Sequence, residues 1–193
     1  MTCIPAAGQV LTRSLCLEGR GLHGGQAVRL EIHPAPVGHG AVFSRVDLPG
    51  GPQVRAHISS VRVERQCTGL RQGDVEILTV EHLLAALAGL GLWDVKLKLD
   101  GPEVPILDGS AAPFVSALVE AGLTPSRHSR PLLRVKRKIR VEREDRWISL
   151  EPFDGFEVDC LLDFDHPLLH QQRYEYVLGR DSFVRELAPA RTF

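Results

Sequence analysis

The 193-residue sequence has no excess of charge of either sign, because 23 lysine and arginine residues balance 24 aspartate and glutamate residues. A dedicated nucleic-acid-binding domain carries a basic excess, so this balance argues against that class. One methionine, seven phenylalanines, two tryptophans and two tyrosines also leave little material for a base-stacking platform or a methionine-rich groove. No apolar run approaches the roughly 18–20 residues that a transmembrane helix needs.

Cysteine is sparse, and its four positions (Cys3, Cys16, Cys67 and Cys160) are scattered with no CxxC pair among them. A disulfide-stapled secreted domain or a four-cysteine zinc cluster needs denser and more regular cysteines. The sequence therefore predicts a protein of the reducing cytoplasm. Hydrophobic residues make up 44% of the chain, which suffices for a globular core and excludes wholesale disorder.

Two segments rich in leucine and alanine favour helices, residues 79–90 and residues 113–122. Thr79 is a candidate N-cap of the first helix, and Gly91 stands where a glycine often ends one. Pro113 suits the first turn of the second helix. Strand-like segments surround these helices: residues 9–18, 26–33, 41–46 and 92–100.

A polar stretch at residues 124–130 is the predicted domain boundary. Beyond it the sequence predicts further strands and then a short helix near the end: residues 132–142, 146–153, 156–164 and 173–178, with the helix opening after Ser182. The order of elements predicts an α+β fold. We expect a two-layer domain over residues 1–125, with two helices on one face of a mainly antiparallel sheet. An incomplete second copy of the same kind is expected over residues 126–193.

Glu81 and His82 stand at the start of the first predicted helix. An imidazole can bind a metal ion, and a neighbouring carboxylate can act as general base on a metal-bound water. Adjacent helical residues point about 100° apart, so both reach one site only where the helix end faces a cleft. On the dipeptide alone, a solvated glutamate beside a hydrogen-bonded core histidine remains an open alternative.

Two loops add further polar candidates. The loop at residues 101–113 carries Glu103 and Asp108, and loops of this kind often build sites. Asp108 equally suits a rigid turn, because aspartate followed by glycine is typical turn chemistry. The glycine-rich run at residues 19–25 precedes a strand and not a helix, so it predicts a turn and not a phosphate loop. His23 is expected to be exposed on that turn.

Five separated motifs occur together and in order: GRGLHGG (19–25), TVEHLLAALAGLG (79–91), PEVPILDGSAAPFV (102–115), DFDHP (163–167) and ARTF (190–193). Together they resemble the zinc-dependent UDP-3-O-acyl-N-acetylglucosamine deacetylase family, which carries out the committed step of lipid A biosynthesis in Gram-negative bacteria. The resemblance implies hydrolysis of the N-acetyl amide of UDP-3-O-acyl-N-acetylglucosamine, with release of acetate and a free amine. It also implies a cytoplasmic enzyme.

The resemblance assigns roles to individual residues. His82 matches a Zn²⁺ ligand, Glu81 matches the general base, and Thr192 matches a hydroxyl donor that stabilises the oxyanion. The positions that match substrate-binding residues of the family are Leu22, His23, Cys67, Asp163, Phe164 and Phe193.

The chain departs from the family in its metal ligands. The family holds Zn²⁺ with two histidines and an aspartate, and the H-K-x-x-D pattern that supplies the later two has no match here. We therefore expect an N-terminal portion that by itself binds zinc weakly and hydrolyses its substrate negligibly. The alternative is a catalytically inactive remnant or a nucleotide-sugar-binding module of the same fold. Self-association through exposed apolar helix faces is also expected, because the helices of the second domain are missing.

Overall fold

A computed structural model describes residues 7–64, 66–129, 133–168, 170–178 and 182–191. These residues form two compact units: a larger one within 7–128 and 182–191, and a smaller one within 129–178. Strands predominate and helices join them, which confirms the α+β class. The domain boundary after residue 125 and the incomplete second copy stay predictions.

The elements of the larger unit follow one another in this order: β1 (Ala7–Leu11), β2 (Leu15–Arg20), β3 (Ala27–Pro34), β4 (Ala41–Arg45), β5 (Gln53–Arg55), β6 (Val61–Glu64), β7 (Cys67–Gln72), β8 (Val75–Ile77), α1 (Glu81–Gly89), β9 (Val95–Leu99), α2 (Ala112–Ala121) and β10 (Leu123–Ser129). A five-stranded sheet has the order β2-β3-β9-β4-β5, and only its β4–β9 pair is parallel. A three-stranded antiparallel sheet has the order β6-β7-β8, and β1 pairs with β10. A short π-helical turn spans Phe183–Leu187.

Strand β9 shows how the sequence pattern places the core. Val95, Leu97 and Leu99 are fully buried, whereas the intervening Lys96 and Lys98 are exposed. One face of the central sheet is therefore apolar and the other meets solvent, as the alternation predicted. The core also contains fully buried side chains from the other strands and from both helices: Leu30, Ile32, Phe43, Leu83, Phe114 and Leu118.

The helix boundaries confirm two sequence predictions and correct one. Gly91 has φ +69°, and the N–H groups of Gly91 and Leu92 donate to the carbonyls of Ala88 and Leu87, which is a Schellman ending for α1. Pro113 lies in the first turn of α2, as expected. The prediction of Thr79 as N-cap was wrong, because Val80 occupies that position.

One further prediction of secondary structure was wrong, and two regions form strands that the sequence did not predict. Residues 9–18 do not form one strand, because β1 ends at Leu11 and β2 begins at Leu15. Between them, the N–H of Thr12 donates to the carbonyl of Gly122. The polar stretch 124–130 contributes most of β10, since pairing with β1 satisfies its backbone despite its weak strand propensity. Strands β5 to β8, within residues 53–77, had no sequence prediction.

The smaller unit contains two hairpins among its described residues. β11 (Ile139–Arg143) pairs with β12 (Arg146–Leu150), and β13 (Glu157–Asp163) pairs with β14 (Gln171–Val177). The tight turn of the first hairpin uses Glu144 at φ +57°. Three of these strands lie close to the segments that the sequence predicts, whereas the predicted strand 132–142 forms, among its described residues, only from Ile139 onward. The two hairpins carry many exposed apolar side chains: Ile139, Val141, Trp147, Ile148, Leu150, Leu161 and Leu162.

Within the part of the chain that the structure describes, no helix is long and apolar enough to cross a membrane.

Candidate active site

Glu81 lies in the first turn of α1 and is half-buried. Its Oε2 accepts a hydrogen bond of 3.1 Å from the N–H of Thr68 in β7. The N–H of Val80, one residue earlier, donates to the carbonyl of the same threonine at 3.2 Å. The start of α1 is thus fastened to β7 through both backbone and side chain, and the bond to Oε2 fixes the direction of the whole carboxylate.

His82 follows Glu81 on the helix and is also half-buried. The buried stripe of α1 is formed instead by Leu83, Ala86 and Leu87, so the histidine is not a core residue of the helix. Cys67 directly precedes Thr68 in β7 and is half-buried as well. The structure therefore brings Cys67, one of the expected substrate-binding residues, to the strand that holds Glu81.

Glu103 joins the glycine-rich turn to the start of α1. Its carboxylate accepts hydrogen bonds from the N–H of His23 at 3.0 Å, from the N–H of Gly24 at 2.9 Å and from the hydroxyl of Thr79 at 2.8 Å. The residue is only 4% exposed. Gly21 leaves the space that the carboxylate fills, because a Cβ there would overlap it.

The environment of Glu103 favours the charged form. Burial raises the pKa of a carboxyl, but the hydrogen bonds from Gly24, His23 and Thr79 outweigh it, so the pKa of Glu103 lies below its usual value. A buried carboxylate whose oxygens are occupied by three donors is stable as an anion, and it is not a free proton acceptor. The sequence left the role of Glu103 open, and the contacts make it a structural link.

Thr79 has an unusual backbone conformation. Its φ is +56°, in the left-handed region, which β-branched residues rarely adopt. The side chain is 2% exposed and its hydroxyl is bound to Glu103. A conformation of this kind costs about 1–3 kcal/mol and persists only where the surroundings hold it. The strain lies two residues before Glu81, at the point where the chain turns into α1.

The glycine-rich turn presents Leu22 and His23 to solvent. The Leu22 side chain is 50% exposed, and His23 is exposed while its backbone N–H is bound to Glu103. Two backbone hydrogen bonds close the turn, from Gly21 N–H to the carbonyl of Gln26 and from Gly25 N–H to the carbonyl of Gly21. The structure thus places His23 on an exposed turn whose backbone is hydrogen-bonded to the buried carboxylate of Glu103.

Asp108 forms a turn of its own. Its Oδ1 accepts hydrogen bonds from the hydroxyl and the N–H of Ser110, and the pKa of the carboxyl is lowered, chiefly by that hydroxyl. The Ser110 hydroxyl oxygen also accepts from the N–H of Ala112 at the start of α2. Arg191 of the terminal motif approaches Asp108 at 3.9 Å. The turn interpretation of Asp108 accounts for these bonds.

The remaining predicted site residues lie elsewhere. Asp163 ends β13 and accepts a hydrogen bond of 2.9 Å from the amide of Gln171, its partner across the hairpin. Phe164 follows it and is 37% exposed. Both belong to the smaller unit. Thr192 and Phe193 lie outside the described residues, so their assigned roles stay predictions.

Two features of the site escaped sequence reasoning. Thr68 holds Glu81, and Thr79 holds Glu103, through hydrogen bonds that span 13 and 24 residues of sequence. No local pattern marks either pairing. Gly21 explains the Glu103 link only after the structure is known, because the structure shows that this glycine has no positive φ and instead leaves room for a close neighbour.

No group of three or more histidine, cysteine, aspartate or glutamate side chains that could hold a metal ion occurs among the residues described here. His82 therefore has no ready partners for a complete metal site within that part of the chain.

Comparison with known proteins identifies related sequences. Residues 9–193 match the family model described as LpxC, UDP-3-O-acyl N-acetylglycosamine deacetylase. The chain is 44% identical over 177 residues to the UDP-3-O-acyl-N-acetylglucosamine deacetylase of Acidithiobacillus ferrooxidans (strain ATCC 53993 / BNL-5-31). That match covers 91% of this chain and 58% of the relative. The chain thus spans less than two thirds of the length of this curated relative.

Proposed function

Because the chain belongs to the UDP-3-O-acyl-N-acetylglucosamine deacetylase family, we propose that it takes part in hydrolysis of the N-acetyl amide of that nucleotide sugar. The products are acetate and a free amine, in a step of lipid A biosynthesis. The observation that carries the proposal is the half-buried pair Glu81 and His82 at the start of α1, with the carboxylate oriented by Thr68.

The donor set tests whether zinc fits this chain. His82 would offer one imidazole, and catalytic zinc sites normally have three protein ligands. The described residues form no such cluster, so they do not make a zinc site by themselves. At least one ligand of a three-ligand site would therefore have to come from outside the described residues. When bound, Zn²⁺ lowers the pKa of a bound water and polarises the amide carbonyl.

The proposed roles of this chain's own residues do not depend on which further residues bind the zinc. Glu81 would take a proton from the attacking water. Because Oε2 accepts the hydrogen bond from Thr68, Oε1 is the oxygen that would receive this proton. Thr192 would donate a hydrogen bond to the oxyanion. By family resemblance, Leu22, His23, Cys67, Asp163, Phe164 and Phe193 would contact the substrate.

The second candidate function is a non-catalytic module that binds a nucleotide sugar. The observation that favours it is the lack of a three-ligand metal cluster in the described part of the chain. The two functions differ in one measurable property, the release of acetate, which only the enzyme catalyses and which should depend on Glu81.

The test measures zinc content and acetate release for two proteins: the 193-residue chain, and a chimera that adds the part of the Acidithiobacillus relative outside the match, which the resemblance places after the matched segment. We expect little zinc and negligible turnover for the chain alone, and one zinc with measurable deacetylation for the chimera. In the chimera, Glu81→Gln should lower kcat by about 10²–10⁴-fold, the usual contribution of a general base. Glu120→Gln, an exposed glutamate on α2, is the matched control.

Two results would count against the enzyme. A chimera that binds the nucleotide sugar without releasing acetate would favour the binding module. Equal turnover of Glu81→Gln and the unsubstituted chimera would show that Glu81 is not the base.

A further inference from the structure

We infer that Glu103 is a positioning residue, which holds the start of α1 through Thr79 and so keeps Glu81 on the N–H of Thr68. Its importance for turnover rests on the proposed deacetylation, but the coupling itself is a property of this chain. Glu103 touches neither Glu81 nor the substrate directly in this scheme; it acts through the backbone of α1.

The backbone around Glu103 is strapped to the strand end that precedes α1. The N–H of Leu78 donates to the carbonyl of Pro102 at 2.8 Å, and the N–H of Val104 donates to the carbonyl of Leu78 at 3.1 Å. Glu103 lies between these two bonds, and its side chain reaches the next residue, Thr79. The backbone of Glu103 is thus held in place on both sides, and so are the partners of its carboxylate.

The strained conformation of Thr79 is the element through which Glu103 acts. At φ +56° this residue is held away from the conformations it prefers. The hydrogen bond from its buried hydroxyl to Glu103 Oε1 is well placed to hold it there. Without that bond the residue can relax, and the chain would enter α1 along a different path. Glu81 would then leave the Thr68 N–H.

The same carboxylate fixes the turn that carries His23. Its bonds to the N–H groups of His23 and Gly24 are charge-assisted, a class about twice as strong as neutral hydrogen bonds. Glu103 therefore touches two of the segments that carry predicted site residues, the glycine-rich turn and the start of α1. A change in Glu103 should be felt at both segments, whereas a change in Thr79 should be felt mainly at the helix.

The test uses amide hydrogen exchange of the 193-residue chain, followed residue by residue by NMR. The probes are the N–H of Thr68, which is bound to Glu81, and the N–H groups of His23 and Gly24. Thr79→Val replaces the hydroxyl by a methyl group of similar size, and Thr79→Ser keeps the hydroxyl but loses the methyl group. Asp94→Asn is the control, because Asp94 likewise accepts a backbone N–H, from Gly40 at 2.7 Å, away from the site.

We expect Thr79→Val to accelerate exchange of the Thr68 N–H about tenfold, the equivalent of one lost hydrogen bond, and Thr79→Ser to restore it. Glu103→Gln should accelerate exchange at Thr68, His23 and Gly24 together, and Asp94→Asn should change none of the three. A role confined to local stability would leave the Thr68 N–H unmoved, because that group does not contact Glu103. Should Glu103→Gln fail to fold, the two Thr79 variants decide the question, since both keep the carboxylate.

In the chimera, Thr79→Val should lower kcat with little change in KM, whereas Glu103→Gln should also raise KM because the His23 turn loosens. Unchanged exchange at Thr68 in both Thr79→Val and Glu103→Gln would overturn the inference. An inactive chimera would overturn the proposed function and leave the exchange result standing.

Discussion

Gly21 and Gly24 face the same oxygen of Glu103 at different distances, which makes them a matched pair for substitution. A Cβ on Gly21 would lie 2.8 Å from the carboxyl carbon of Glu103 and 3.2 Å from its Cβ, with Oε2 closer still. A Cβ on Gly24 would lie 3.5 Å from Oε2, an ordinary contact. Neither glycine has a positive φ, so the available space is the main difference between the two sites.

The contacts of Glu103 set the size of the effect. The carboxylate cannot move away from a new methyl group without loosening its bonds to His23, Gly24 and Thr79. Each hydrogen bond to a charged group contributes about 1.5–3 kcal/mol, and glycine-to-alanine exchange returns about 0.4–1 kcal/mol through the unfolded chain. We expect Gly21→Ala to lower the free energy of unfolding by about 1–3 kcal/mol. Gly24→Ala should leave it unchanged or raise it by up to about 1 kcal/mol.

The assay is urea unfolding followed by tryptophan fluorescence. The chain has two tryptophans, Trp93 in the larger unit and Trp147 in the smaller one, and two units need not unfold together. A Trp147→Phe background leaves Trp93 as the reporter of the unit that contains Glu103. Equal destabilisation by Gly21→Ala and Gly24→Ala would refute the reasoning, because it would show that the carboxylate is not held in the place described.

Three further predictions concern other parts of the larger unit. The two-point hydrogen bond from Arg45 holds the pKa of Asp47 below its usual value, so Asp47→Asn should cost about 1–3 kcal/mol at pH 7. Because the folded pKa is lowered, that difference should be complete above the unfolded pKa of about 3.9 and vanish as the pH falls through the folded value, as acid-dependent urea titrations can show. Gly89→Ala favours helix formation by about 1 kcal/mol but would place a methyl group against the ring of Phe183. Calorimetry should therefore find the substitution destabilising in the unsubstituted chain and stabilising in a Phe183→Ala background. Destabilisation in both backgrounds would contradict the contact. The sequence predicts self-association through apolar helix faces, and Val119 on α2 is 46% exposed. On that prediction, sedimentation should show a mass that rises with concentration and that Val119→Lys lowers; a strictly monomeric chain would contradict it.

Local signals in the sequence, alternation for β9 and leucine and alanine content for the helices, were enough to predict these three elements. The alternation from Val95 to Leu99 is a local signal, because residues two positions apart in a strand lie on the same face. The leucine- and alanine-rich stretch of α1 is also local, because residues three or four positions apart share a helix face. Gly91 likewise ends α1 for a reason contained in the residue itself, its tolerance of a positive φ. These features depend on neighbours a few residues apart.

The same local reasoning failed where pairing decides the structure. The polar stretch 124–130 is predicted as a domain boundary and not as a strand, yet its residues 124–129 lie in β10, which pairs with β1. Thr79 has the chemistry of an N-cap, yet its hydroxyl is bound to Glu103 and its φ is positive. In both cases a distant partner offers a hydrogen bond that outweighs the local preference.

The sequence by itself determined the family, the α+β class and the pair Glu81 and His82 as candidate chemistry, because motifs and periodicity are written in consecutive residues. Only the tertiary structure decided what holds that pair. Thr68 donates a hydrogen bond to Glu81, and Glu103 accepts one from Thr79, two residues before Glu81. These bonds join residues 13 and 24 positions apart in the sequence, and no local pattern encodes which polar group will meet which. The physical reason is that a buried carboxylate must find donors wherever the fold supplies them. For Glu103, the fold supplies them from the glycine-rich turn and from Thr79.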